Sequence, residues 1–276
     1  MTVVMFTKML KRTGGLPLEE AGEELVRMGF DGADLTVRPG GYVEPEASAD
    51  ELADAIGLLR GKGLSVPMLT TSITSADDVA AEEIFDIAAA NGVEALKLGY
   101  WHYDGFGNIQ RQIDACREDL AGIYDLSKEY DVTPALHIHS GDHLTAEAAV
   151  VWELLRDFDP AYMGAYLDPG HMTLEGGRSG WEIGLDLLQE YATMVAVKNF
   201  GWKAVEGEDD TITWEFDHYP VADGIAPFDE ATGHLLSIGF DGIWSIHSEY
   251  YDLEYAALAA QTERDLAYLQ GLLGTT

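Results

Sequence analysis

Cysteine is almost absent from this 276-residue chain, in which Cys116 stands alone. One thiol cannot build an internal disulfide framework or a cysteine zinc cluster. Basic residues are scarce as well: 16 Lys and Arg face 49 Asp and Glu, a formal charge of −33. Such a field repels phosphates, so no nucleic acid is expected as a partner. No apolar run approaches the ~18 residues that a membrane span needs, and no membrane association is expected. The opening MTVVMFTKMLKR puts its charges after a very short apolar run, the reverse of a secretory signal. A soluble, cytoplasmic protein is the expectation. Neither G-x-G-x-x-G nor G-x-x-x-x-G-K-[ST] occurs, which removes the usual nucleotide fingerprints.

What is present is a foldable chain, 47% hydrophobic and 10% aromatic. Its acids are not gathered in a tail. They lie along the expected helices, as in PLEEAGEELVR, SADELADAIG and SADDVAAEEIFDIA. A surface of this kind repels itself at ordinary ionic strength, and the excess reads as adaptation to a high-salt cytoplasm.

Strand-like and helix-like patterns alternate from end to end. Strands are expected at 3–8, 33–37, 65–73, 95–101, 133–139, 164–168, 194–199 and 243–247. Helices are expected at 18–28, 50–61, 75–91 (N-capped by Ser75), 109–130, 145–157, 181–191, 228–238 and 253–273. Residues 201–227 form the longest irregular stretch, with one small strand at 211–216. Eight βα units about 30 residues apart fit a single-domain (β/α)8 barrel, of the TIM type, better than an open doubly wound sheet.

In such barrels, chemistry sits at the C-terminal ends of the strands. Three strands finish in ligand-type residues: TPALHIHSG in His137 and His139, MGAYLDPGHM in Asp168 and His171, and GIWSIHSEY in His247 and Glu249. Side chains two apart on a strand share a face, so each pair is aimed at one end of the barrel. Seven of the eight histidines fall at strand ends or in βα loops, and only His234 lies within an expected helix.

GFDGADLTV, LKLGYW, the LHIH strand, YLDPGHM, VKNF and GFDGIWSIHSEY, in this order, resemble the xylose isomerase-like TIM-barrel superfamily, the sugar phosphate isomerase/epimerase family. The chain looks like an acidic, haloarchaeal-type member. The resemblance implies a divalent metal between a Glu on strand five, an Asp on strand six, a His on strand seven and a Glu on strand eight. Here those positions hold His137, Asp168, Ala196 and His247. Two arrangements follow. Either His137, Asp168 and His247 ligate one divalent ion, with Zn, Mn or Fe suiting imidazoles better than Mg, or Lys198 pairs with Asp168 where a cation would sit.

The implied chemistry is isomerisation or epimerisation of a sugar, polyol or keto acid through an enediolate. Glu249 and His171 are the acid–base candidates, and Lys198 is the electrostatic partner. The alternatives are a dehydratase of the inosose or dehydroshikimate type and a metal-free barrel that only binds a sugar-like ligand. Trp101, His102, His139, Asp34 and Trp202 are candidate substrate contacts, and Lys97 is a candidate inward-pointing neighbour. With only Arg38, Lys198 and Lys203 in the candidate loops, an unphosphorylated small carbohydrate-like substrate is expected. A homodimer is possible by analogy with the group.

The charge gives a first prediction. Between about 0.1 M and about 1 M KCl the Debye length falls from ~10 Å to ~3 Å, so the melting temperature should climb across that range. A flat or falling profile would show that self-repulsion does not limit stability.

Overall fold

Alternation decides which residues of a strand face the barrel axis and which face the surrounding helices. The computed structural model describes residues 1–207, 209 and 211–275, and for Arg178 the backbone only. Eight of its strands close into a parallel barrel: β1 (Thr2–Phe6), β2 (Gly32–Val37), β3 (Ser65–Thr71), β4 (Ala95–Lys97), β5 (Thr133–His137), β6 (Gly164–Leu167), β7 (Ala192–Val197) and β10 (Ile243–Ile246). β10 pairs with both β1 and β7, which closes the ring. Val4, Met68, Ala95, Ala135, Tyr166, Met194, Ala196 and Ile243 pack together inside it. The opposite faces of the strands, with Leu35, Leu69, Leu96, Leu136 and Val195 among them, join the outer apolar layer beneath the helices.

Eight helices clothe the barrel: α2 (Leu18–Met28), α3 (Ser48–Gly61), α4 (Ala81–Ala90), α5 (Ile109–Tyr130), α6 (Ala148–Leu155), α8 (Gly180–Leu188), α9 (Phe228–Ser237) and α10 (Tyr255–Leu273). In α2, Ala21, Leu25 and Met28 are buried at helical spacing while Glu19 and Glu20 occupy the first turn, where acids oppose the helix dipole favourably. The third helix starts later than the 75–91 expectation. Asp78 takes the amides of Thr74 and Ser75 into a turn, and Ser75 bonds the amide of Asp77 instead of capping a helix.

Two short helices stand at the C-terminal end of the barrel, and both lie outside the expected set. α1 (Lys8–Arg12) follows β1 directly, and α7 (Pro169–Gly176) follows β6. α7 explains the LDPGH motif. The Asp168 carboxylate accepts the amide of His171 at 3.0 Å as N-cap, and Pro169 fills a first-turn position where no N–H is needed. Gly170 is required by closeness: a Cβ there would lie 2.4 Å from the Lys198 carbonyl oxygen and 3.0 Å from the Phe200 ring.

The stretch expected to be mostly irregular contains an antiparallel hairpin, β8 (Asn199–Glu206) and β9 (Ile212–Tyr219), and the expected small strand at 211–216 overlaps β9. Its base is tied down by Asn199. The side-chain amide of Asn199 donates to the carbonyls of Val221 and Ala226, and its oxygen accepts the amide of Ala226.

Gly170→Ala tests the contact between α7 and the end of β7. Overpacking of this kind costs about 1–3 kcal/mol, to be read from denaturant unfolding. Unchanged stability would mean that α7 and β7 do not press on each other here.

Candidate active site

The strands deliver a ring of polar side chains to one end of the barrel. Lys97 and His137 are the last residues of β4 and β5, and Asp168, Lys198 and His247 come one residue after β6, β7 and β10. Lys97, His137, Lys198 and His247 line a cleft of about 150 Å³ together with Phe6, Lys8, Arg38, Thr70, Tyr100, His139, Tyr166 and Glu249, and Asp168 is buried behind them.

Lys198, 2% exposed, is at its centre. Its ammonium lies 3.4 Å from Asp168 Oδ2 and 3.3 Å from Glu249 Oε2. His137 Nε2 meets the same Asp168 oxygen at 3.1 Å, and His137 Nδ1 faces the Tyr100 hydroxyl at 2.9 Å. Glu249 Oε1 accepts from Lys8 and from the Tyr251 hydroxyl at 2.8 Å. His247 Nε2 and the Tyr166 hydroxyl are 2.8 Å apart, and the imidazole stacks on Phe6. Asp34 is fully buried below, accepting from Thr70 at 2.7 Å and Ser245 at 2.9 Å.

Burial sets the protonation states, with Lys198 as the second influence. It raises Asp168 to about 6 against the pull of Lys198, and raises Asp34 to about 6 against the hydroxyls of Thr70 and Ser245. Burial would raise Glu249 too, but Lys198, then His247 and Lys8, outweigh it and hold this carboxyl well below its ordinary value. Burial and then Lys198 push His137 and His171 well below the usual imidazole range, His247 to about 3 and His139 to about 2. Near neutral pH the site therefore holds neutral imidazoles around charged carboxylates.

Not every expected residue reaches the cleft. His171 lies behind His139, ring centroids 4.1 Å apart, with Nδ1 on the Ser140 hydroxyl and a buried Nε2 that has no hydrogen-bond partner among the described residues. Trp101 turns away and donates to Asp119 of α5 at 2.9 Å. His102 is exposed and bridges His143, and Trp202 lies on β8, 46% exposed beside Phe216. Because β4 ends at Lys97, strict alternation no longer applies at residue 101, and Tyr100 enters the cleft instead. Phe6, Lys8 and Tyr166 were readable, since each sits two residues from another inward position or strand end.

A divalent ion would need several of these donors to converge on one point. Among the described residues, no three His, Cys, Asp or Glu side chains are disposed to hold one. The Lys198 ammonium already fills the space between Asp168 and Glu249, and His247 Nε2 is turned to Tyr166. The arrangement does not fit the expected ion on His137, Asp168 and His247.

A closed parallel barrel with a polar site at its C-terminal end is a TIM barrel. The xylose isomerase-like TIM barrel family matches residues 23–272, and the chain belongs to that family. No curated protein sequence matches it. Among solved structures it resembles a xylose isomerase-like TIM barrel protein from Mycobacterium smegmatis in complex with magnesium, at 16% identity and a TM-score of 0.71 over 99% of this chain and 97% of that one. It also resembles the IolI protein with a zinc atom, at 14% identity and a TM-score of 0.72, covering 100% and 99% of the two chains. The D-psicose 3-epimerase structure with D-fructose is similar at 14% identity and a TM-score of 0.72, covering 99% and 100%. At these identities the likeness shows the fold.

The depressed histidines set an acid limb. Their folded values lie below the unfolded ~6.5, so the stability they contribute is present above that pH and is lost as pH falls. Asp34 and Asp168 act the other way: their contribution is present below the ordinary carboxylate value and is lost as pH rises through about 6. Six depressed imidazoles, His143 and His218 included, and the depressed Glu249 against three raised carboxyls, Asp34, Asp168 and Asp265, leave net proton uptake on unfolding, and stability falls on acidification. His247→Asn should flatten the drop in melting temperature between pH 7 and 5, as judged by thermal scans (~5 being below the unfolded imidazole value). A steeper limb in the variant would contradict these protonation states.

Proposed function

We propose that the barrel isomerises or epimerises a small carbohydrate-like hydroxy-carbonyl compound, moving a proton through an enediolate that the Lys198 ammonium steadies. The observation that carries this reading is the ammonium held between two carboxylates in a polar cleft. The epimerase among the similar folds supports the reaction class.

In this reading the substrate's carbonyl oxygen lies against Lys198. Glu249, kept as a carboxylate by its cationic neighbours, removes the proton from the adjacent carbon. The C–H electron pair becomes the C=C bond of the enediolate, and the negative charge moves to the oxygen beside Lys198. A preorganised charge at that oxygen acts where the transition state needs it. Tyr100, whose phenol is driven well above its usual value by burial and so stays protonated, can hydrogen-bond the second oxygen. The His137–Asp168 chain behind it fixes its orientation. Return of that proton from Glu249 to the neighbouring carbon, with the hydroxyl proton of the second oxygen passing to the oxygen beside Lys198, gives the isomer. Delivery of a solvent proton to the original carbon from the opposite face, with Glu249 giving its proton back to water, gives the epimer. His171 acts here on the position of Asp168 and not on substrate. The acidic surface is read as salt adaptation of the same enzyme.

The test is solvent-deuterium exchange into a panel of ketoses and keto acids, followed by NMR in high salt. Lys198→Met should lower exchange by about 10²–10³-fold, the scale of losing one oxyanion donor, and EDTA should leave the wild type unchanged. An equivalent of Zn, Mn or Fe that is lost in a His137→Ala/His247→Ala variant together with activity would overturn the Lys198 reading in favour of the metal.

A further inference from the structure

Beside the cleft, and sharing Lys8 and Arg38 with it as lining, is a second cavity of about 410 Å³. Four basic side chains line it: Lys8, Lys11 and Arg12 from α1, and Arg38 from the loop after β2. They are a quarter of the 16 basic residues in a chain of charge −33. Elsewhere among the described residues many cations are spent on neighbouring acids. Arg27, Arg117 and Arg156 each pair with a carboxylate. Arg12 and Arg38 do not, among the described residues. Their guanidiniums lie over aromatic faces instead, Arg12 at 4.7 Å from the Tyr251 ring centre and Arg38 at 5.2 Å from that of Phe6.

Stacking fixes the plane of a guanidinium and leaves its N–H edge available, which is the geometry that grips a carboxylate or phosphate through two parallel bonds. The wall is braced as well: Lys11 donates to the Gly41 carbonyl, tying α1 to the loop that carries Arg38, and Lys8 is held by Glu249 and Tyr251. Lys203, a cation expected near the site, pairs with Asp217 on the hairpin and lies in neither cavity.

We infer that this cavity is an anion subsite, and that the substrate is a hydroxy-carbonyl compound whose far end carries a carboxylate or phosphate. The inference rests on the proton-transfer reading for the role of the inner cleft. For a phosphate it departs from the expectation of an unphosphorylated substrate, because α1 adds Lys8, Lys11 and Arg12 to the cations of the candidate loops. The inner cleft takes the reacting carbons, and the anion reaches outward to Arg12 and Arg38.

Calorimetric titration at one fixed KCl concentration tests it, with D-fructose, D-gluconate, D-fructose 6-phosphate and inorganic phosphate as probes. At least one organic anion should bind about tenfold or more tighter than D-fructose. Arg12→Gln/Arg38→Gln should weaken that anion by about tenfold or more, the scale of a charge-assisted bond, and Arg12→Gln alone, which lies outside the inner cleft, should weaken it in part while leaving D-fructose unchanged. Gluconate and the phosphate ester separate the two anion classes, and thermal melting confirms that the variant folds. Equal binding of neutral and anionic probes, or full anion affinity in the double variant, would overturn the subsite. That outcome is distinct from failure of the proton-transfer reading, which shows as absent exchange while charge discrimination persists.

Discussion

The site depends on one buried cation. Lys198 has been brought out of water into a polar cleft, and an isolated ammonium there would be costly. Asp168 and Glu249 offset that cost, and each is tied down in turn: Asp168 by His137 and the first turn of α7, Glu249 by Lys8 and Tyr251. The same charge is second only to burial in keeping His137, His171 and His247 neutral. Remove the ammonium and two buried carboxylates face each other with no cation between them. The remaining arrangement of the cleft follows from avoiding that.

The barrel supports this arrangement by stopping its strands at different heights. The interior layer below is apolar and partly small, with Ala95, Ala135 and Ala196 beside the larger Tyr166 and Met194. Ala196 stands where relatives of this family are expected to carry a histidine, and the next inward residue is Lys198. A short side chain at one level leaves space, and a long cation rises past it to the level above.

Much of this was legible in the sequence. Apolar strands ending in HIH, LDPGH and IHSEY place His137, Asp168 and His247 at one end of a barrel, because strand period and barrel topology leave few alternatives. The two rival arrangements around Asp168 could not be separated that way, since a lysine two residues along a strand can serve either as neighbour or as substitute for an ion. Tyr100 was hidden by a strand that stops early at Lys97. α1 was hidden by its length: five residues, KMLKR, carry too little periodicity to register as a helix. The 199–219 hairpin was half visible, because β8 alternates no apolar face and its pairing with β9 is tertiary information.

Lys198 and the hairpin are adjoining links of the chain, since Asn199 opens β8. A two-stranded ribbon in water is soft, and this one carries exposed Trp202, Trp214 and Phe216 out from the barrel. Anything that tugged on it would be expected to drag the ammonium off its carboxylates. The Asn199 amide, bonded on both sides to the 221–226 segment, acts as a pivot clamp between the two. The backbone next to Lys198 is therefore held by bonds to the barrel side of the ribbon as well as by the β8–β9 ladder, and the position of the charge does not depend on the ribbon alone.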